Sequence, residues 1–250
     1  MCTLIVAVRV FDDVDLLVAA NRDERLDRPS EPPDLLTDKP IPVIAPLDAV
    51  AGGTWLGLNA TGLFAGITNR FGVPPDPALP SRGLLVFEAL EAATPARAAR
   101  HLAGLDPAGH NQFHLLLADR RDAWLVFHDG QAVNTRPLGP GIHVLTERSL
   151  GAAAGGREAW LSARLARWAR GPAPSDAALA ELLSFHDPED PFDGTCVHAD
   201  WLGYGTRSTT LISLGASLAA GRLLFSQGPP CRVRLEDRSD LVARLGSTQS

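Results

Sequence analysis

Two pairs of short apolar runs set the strongest limit on how this chain folds. LIVAVRVF at 4–11 and DLLVAAN at 15–21 are β-branched or leucine-rich and are split by Asp12-Asp13, which predicts a hairpin. GTWLGLN at 53–59 and LFAGITN at 63–69 share the turn tetrad Asn59-Ala60-Thr61-Gly62, with Asn first and Gly last, which predicts a second. The Pro-rich stretch 29–46 between the pairs reads as a long loop.

The rest of the chain alternates helical and strand-like segments. From Ser81, leucines and alanines at helical spacing (Leu84, Leu85, Ala89, Leu90) predict a helix, and Thr94-Pro95 starts another. FHLLLAD and AWLVFHD form a third hairpin and GIHVLT a further strand. After a Gly/Ala-rich break at 151–156, REAWLSARLARWAR and SDAALAELLSF read as helices, the latter capped by Ser175; STTLISL and GRLLFSQG close the chain as strands. Antiparallel strands with helices inserted in clusters indicate an α+β domain in which sheet layers are flanked by helices. The break at 151–156 is too short for a linker, so residues 1–250 are taken as a single domain.

With 250 residues and 45% apolar content the chain can bury a large core. A net charge of −6 argues against a nucleic-acid partner, which calls for a basic face. The cysteines, Cys2, Cys196 and Cys231, are too few and oddly numbered for a disulfide framework. No run reaches the roughly 18 apolar residues of a membrane span, and no secretory leader is evident. A cytoplasmic location is expected.

Cysteine at position 2 carries the chemistry. If Met1 is removed, the α-amine of Cys2 titrates at about 7.7–8.0 and can deprotonate the thiol of the same residue, so one residue supplies nucleophile and base. A hairpin centred between Asp12 and Asp13 pairs residues summing to 25, which sets Asp23 across from Cys2 on one face. Asp23 would then hold the amine, and Arg22 would point to the other face. In the second hairpin, centred between Ala60 and Thr61, Asn69 falls opposite Gly52 and is a candidate oxyanion donor; equally, Asn69-Arg70 simply ends a strand.

Four stretches in order, MCTLIVAV, NRDE at 21–24, GGTWLGLNATGLFAGITNR at 52–70 and YGTRSTT at 204–210, make the chain resemble the NRDE family, also called the transport and Golgi organisation protein 2 family. That resemblance implies an N-terminal nucleophile hydrolase-like fold, a four-layer α-β-β-α sandwich. More distantly the first strands are similar to cysteine amidases of the choloylglycine hydrolase and penicillin V acylase group. By that comparison Cys2 stands for the nucleophile, Asp23 for the residue holding its amine, Asn69 for the oxyanion donor and Arg207 for a late active-site arginine. Two positions depart from the amidases: Ala20 replaces an arginine three residues before the aspartate, and Glu147 replaces an asparagine. Family membership also implies an alternative, a non-catalytic carrier of haem or lipid, with haem as cargo and no cofactor required.

Other clusters have plain structural readings. Within HDPEDPFDGTCVHAD at 186–200, Cys196 and His198 lie one residue apart with no recognisable second pair, so no metal site is expected; a supporting role near the substrate remains for His198. Arg157, Arg164 and Arg167 form a basic stripe opposite Trp160, Leu161, Leu165 and Trp168, suited to porphyrin carboxylates or to solvent. Trp55 and Trp201 are pocket or core residues, and Cys231 has no chemical context. The expected partner is a small-molecule or lipid-like ligand, touched by Arg22, Trp55, Glu147 and His198.

Overall fold

The computed structural model describes residues 2–72, 74–150, 156–169 and 171–248. Met1 and most of the 151–156 break therefore lie outside the described residues. The first run forms β1 (Cys2–Val8) and the second β2 (Leu16–Arg25), antiparallel. Leu4, Val6 and Val8 on one face of β1 enter a core between two sheets, while Ile5 and Ala7 on the other enter a core under helices. β2 is central and buried on both faces, so it reads as an unbroken apolar run rather than an alternating one.

The 29–46 stretch is not a loop. It forms most of a hairpin of β3 (Ser30–Leu36) and β4 (Val43–Asp48), with a register shift between Glu31 and Asp34. The reason is position: β3 is an edge strand and Pro32-Pro33 sit at its irregularity, where a missing N–H breaks no ladder. β5 (Leu56–Asn59) and β6 (Phe64–Asn69) follow, joined as predicted through Asn59-Gly62. Gly62 takes the left-handed conformation the turn demands (φ 85°). Asn59, fully buried, accepts from the N–H groups of Thr61 and Leu63, and its amide donates to the carbonyls of Leu90 and Ala92.

Those carbonyls lie at and just beyond the end of α1 (Gly83–Leu90), which is followed by α2 (Pro95–Leu102) with Pro95 opening the helix and Thr94 capping it. The buried stripe of α1 is Leu85, Val86, Ala89 and Leu90; Leu84 faces outward. β7 (Phe113–Ala118), β8 (Ala123–His128) and β9 (Val133–Pro137) complete a sheet of order β3-β4-β5-β6-β7-β8-β9. β10 (Gly141–Leu145) crosses to the edge of β1 in the other sheet.

α3 (Gly156–Leu165) and α4 (Asp176–Leu183, capped by Ser175) cover that second sheet. The sheet is completed by the two-residue strand β11 (His198–Ala199), β12 (Tyr204–Leu214), β13 (Arg222–Ser226) and β14 (Glu236–Asp237). Its order is β10-β1-β2-β12-β13-β14, with β11 beside β12.

A C-terminal helix that sequence reading missed, α5 (Ser239–Ser247), puts Leu241, Val242 and Leu245 into the inter-sheet core. It packs on β3, β4 and β13 and closes that edge of the sandwich. With α1 and α2 over one sheet and α3 and α4 over the other, the layers are α-β-β-α, as expected. No helix among the described residues is long and apolar enough to cross a membrane.

Candidate active site

The hairpin register decides which side chains meet at the start of β1. Val8 pairs with Leu16 and Cys2 with Arg22, so opposed residues sum to 24, not 25. The connection 9–15 is centred on Asp12, pinned by the Arg9 N–H on the Asp15 carbonyl (2.8 Å) and by Arg9 in a left-handed conformation (φ 53°). A one-residue shift reverses faces. Arg22 therefore shares the inter-sheet side with Cys2, and Asp23 turns its carboxylate toward α3. The expectation that Cys2 and Asp23 oppose each other on one face is overturned.

Residue 2 still lies beside Asp23 through the main chain. The Asp23 backbone N–H bears on the Cys2 sulfur, and together with Arg22 and the chain's positive terminus it resists the rise in thiol pKa that burial causes. The Asp23 carboxyl accepts from Thr206 Oγ1 (2.6 Å) and from Arg157 Nη1 (3.4 Å), and the Asp23 carbonyl accepts from the Tyr204 hydroxyl (2.6 Å). Burial pushes this carboxyl above its ordinary value; Arg157, the positive terminus and Thr206 oppose that rise. Arg157 does not belong to a surface stripe. It is 3% exposed, donates to Thr3 Oγ1 (3.0 Å) and to the Phe192 carbonyl (2.7 Å), and lies 3.7 Å from Glu147 Oε2.

On the other side of the sheet a cavity of about 380 Å³ opens at Cys2. Arg22, Asp23, Trp55 and Asn69 line it, as do Arg28, Asp48 and Arg82, which sequence reading did not single out. Arg22 stacks on Trp55 (4.2 Å to the ring centroid) and pairs with Asp48 (3.3 Å), which Arg28 also engages (2.7 Å). Arg82 donates to the Gln112 carbonyl (2.9 Å), and among the described residues no carboxylate lies within 4.0 Å of it. These groups come from segments far apart in sequence; α1 packs against β5 and β6, and the 75–82 segment that precedes α1 lines the cavity with Arg82.

Asn69 reaches the cavity from the exposed end of β6, but not opposite Gly52. The β5–β6 pairs sum to 122, and Asn69 pairs with Phe113 on β7. Glu147 is buried beside Arg157 and does not line the cavity. Arg207 and His198 line a separate cavity of about 170 Å³ with Gln227 and Arg232. Arg207 is the extra residue at a bulge where β12 pairs with β2, and bulges re-aim side chains. Trp201 is 69% exposed and lines none of these spaces.

A model of the family described as Transport and Golgi organisation 2 matches residues 1–166. The chain belongs to that family. The human Transport and Golgi organization protein 2 homolog is 28% identical over 246 residues, covering 85% of each chain. The mouse Transport and Golgi organization 2 homolog is 33% identical over 109 residues, 42% of this chain and 38% of its own.

Among solved structures, a Caenorhabditis elegans N-acylethanolamine-hydrolyzing acid amidase ortholog superposes with a TM-score of 0.55 at 13% identity, covering 84% of this chain and 92% of its own. A mutant conjugated bile acid hydrolase from Clostridium perfringens gives 0.54 at 11% identity, covering 96% and 93%. The fold is thus that of the N-terminal nucleophile hydrolases, within a family whose members are named for transport and Golgi organisation.

Proposed function

We propose that this chain is an N-terminal cysteine amidohydrolase that cleaves a small acylated amide through a thioester on Cys2. One observation carries the reading: of the three cysteines, Cys2 alone lines the cavity shared by Arg22, Asn69 and Arg82. Once Met1 is removed, the freed α-amine takes the thiol proton and the sulfur attacks the amide carbonyl. The amide N–H of Asn69 donates to the oxyanion, and the α-ammonium returns the proton to the departing amine. Water, deprotonated by the same amine, then releases the acyl group as a carboxylic acid. Asp23 acts from behind the strand by holding the ammonium, and Arg82 receives an anionic end of the substrate.

Intact mass and acyl-electrophile labelling test the reading. The expected results are loss of Met1, labelling of Cys2 ahead of the exposed Cys231, and complete loss of turnover in a Cys2→Ala protein that retains its melting temperature. A chain that keeps Met1, or equal labelling of Cys2 and Cys231, refutes it.

A carrier role for haem or a lipid is favoured by a different feature. A groove of about 510 Å³ on α3 and α4 is walled by Trp160, Trp168 and Phe185, with Arg164 stacked 3.7 Å over Trp160. Saturable haemin binding lost in Arg164→Glu and kept in Trp55→Ala would favour that reading; unsaturable binding would dismiss it.

A further inference from the structure

The densest unassigned chemistry lies away from the Cys2 cavity, where two distant segments meet. His186 and Cys196 come from the segment after α4, His198 from β11 and Cys231 from the turn after β13. One donor atom of each lies within 4.8 Å of the others. We infer that His186, Cys196, His198 and Cys231 form a tetrahedral transition-metal site of the structural zinc class.

The spacings suit the metal. Zinc–sulfur and zinc–nitrogen bonds of about 2.3 and 2.0–2.1 Å imply tetrahedral edges of about 3.8 Å between two sulfurs and about 3.6 Å between sulfur and nitrogen. Here the Cys196 and Cys231 sulfurs are 3.6 Å apart, and His198 Nε2 lies 3.7 Å from the first and 3.2 Å from the second. His186 is the fourth donor, its ring 4.9 Å from that of His198. Its Nδ1 lies 2.9 Å from the Cys196 carbonyl, which can only accept, so Nδ1 carries the proton and Nε2 keeps its lone pair for the metal. A backbone carbonyl orienting a ligating imidazole in this way is the usual outer shell of a histidine–metal bond.

The donor set also selects among cations. Two thiolates and two imidazoles neutralise a divalent ion and suit zinc in tetrahedral geometry, whereas magnesium and calcium require oxygen donors. Four protein donors leave no open position, so the site is structural rather than catalytic.

What it would hold is the 192–197 segment that braces Asn21 and two partners of Asp23, Arg157 and Thr206. Between the ligands, the Phe192 carbonyl accepts from Arg157, the Thr195 carbonyl accepts from Asn21 (2.7 Å), and the Val197 N–H donates to Thr206 Oγ1 (2.8 Å). Sequence spacing shows only the Cys196–His198 pair because its partners lie ten residues before it and thirty-five after it.

Elemental analysis of the purified chain and cobalt substitution of the chelator-stripped protein test the inference. The expected results are one zinc per chain, and cobalt ligand-field bands of a tetrahedral site with thiolate-to-metal charge transfer. Cys231→Ser and His186→Asn alter exposed ligands, and each should weaken zinc binding by more than about tenfold, with Asp187→Asn as an unaffected control. Cys2→Ala should leave metal binding intact, so this outcome is separate from that of the hydrolase reading. A chain without metal that gives cobalt only the spectrum of the aquo ion overturns the inference, as does a mass lower by two hydrogens from a Cys196–Cys231 disulfide. The wild-type cobalt spectrum decides the matter even if a variant misfolds.

Discussion

Replacing Arg157 with Met removes a guanidinium that spans two buried carboxylates while keeping most of the side chain's apolar bulk. Arg157 lies 3.4 Å from Asp23 Oδ2 and 3.7 Å from Glu147 Oε2, and all three side chains are nearly inaccessible. Breaking a buried pair by removing one partner costs about 3–5 kcal/mol, because the remaining charge is uncompensated. The Phe192 carbonyl also loses its 2.7 Å donor, which adds about 1 kcal/mol. A total of about 4–6 kcal/mol corresponds to a fall on the order of 10–20 °C in Tm for a chain of this size.

The pH dependence gives the sharper test. Burial already holds the Asp23 carboxyl above its ordinary value, opposed first by Arg157. A carboxyl raised in the folded state contributes most below its unfolded pKa, about 3.9, and that contribution is lost as pH rises through the folded value. Removing Arg157 raises the folded value further, so the deficit is largest at neutral pH and shrinks on acidification. Urea denaturation of wild type and Arg157→Met at pH 7 and pH 5 reads this directly, and adding Glu147→Gln should restore part of the loss. A deficit under about 1 kcal/mol at pH 7, below the scale of a broken buried pair, or one equal at both pH values, would refute the ion-cluster argument.

Gly53→Ala should destabilise the chain by about 1–3 kcal/mol by thermal melting, because a Cβ there would sit 2.6 Å from the Gly83 carbonyl carbon, backbone against backbone. The same change should alter access of electrophiles to Cys2, since Gly83 follows Ser81 and Arg82 at the cavity wall. His114, fully buried with Nδ1 near the Thr146 carbonyl, is held down by burial to about 4. Its contribution is complete above the unfolded value of about 6.5 and is lost as pH falls toward 4, at about 3 kcal/mol in all. His114→Asn should flatten that part of the stability profile, and an NMR titration midpoint near 6.5 for His114 would refute the assignment.

Local patterns were legible in the sequence because short-range interactions decide them. The β1–β2 and β5–β6 hairpins, the Thr94-Pro95 start of α2 and the Ser175 cap follow from periodicity, turn residues and caps, while the four-layer α-β-β-α class comes from the family resemblance carried by the ordered motifs. Register was not legible. The connection at 9–15 turns on Asp12 through a left-handed Arg9, and with a side-chain period of two that single step exchanges Arg22 for Asp23 beside the Cys2 thiol. The Pro-rich stretch reads as loop until the topology makes β3 an edge, where proline is tolerated. Helical spacing placed Arg157 with Arg164 on a stripe, but it could not show that β2 and the turn after β10 present Asp23 and Glu147 to only one of them. The cavity around Cys2 and the His186–Cys231 cluster join residues separated by tens of positions. Such contacts arise from how the layers close on each other, a non-local property that no window of the sequence contains.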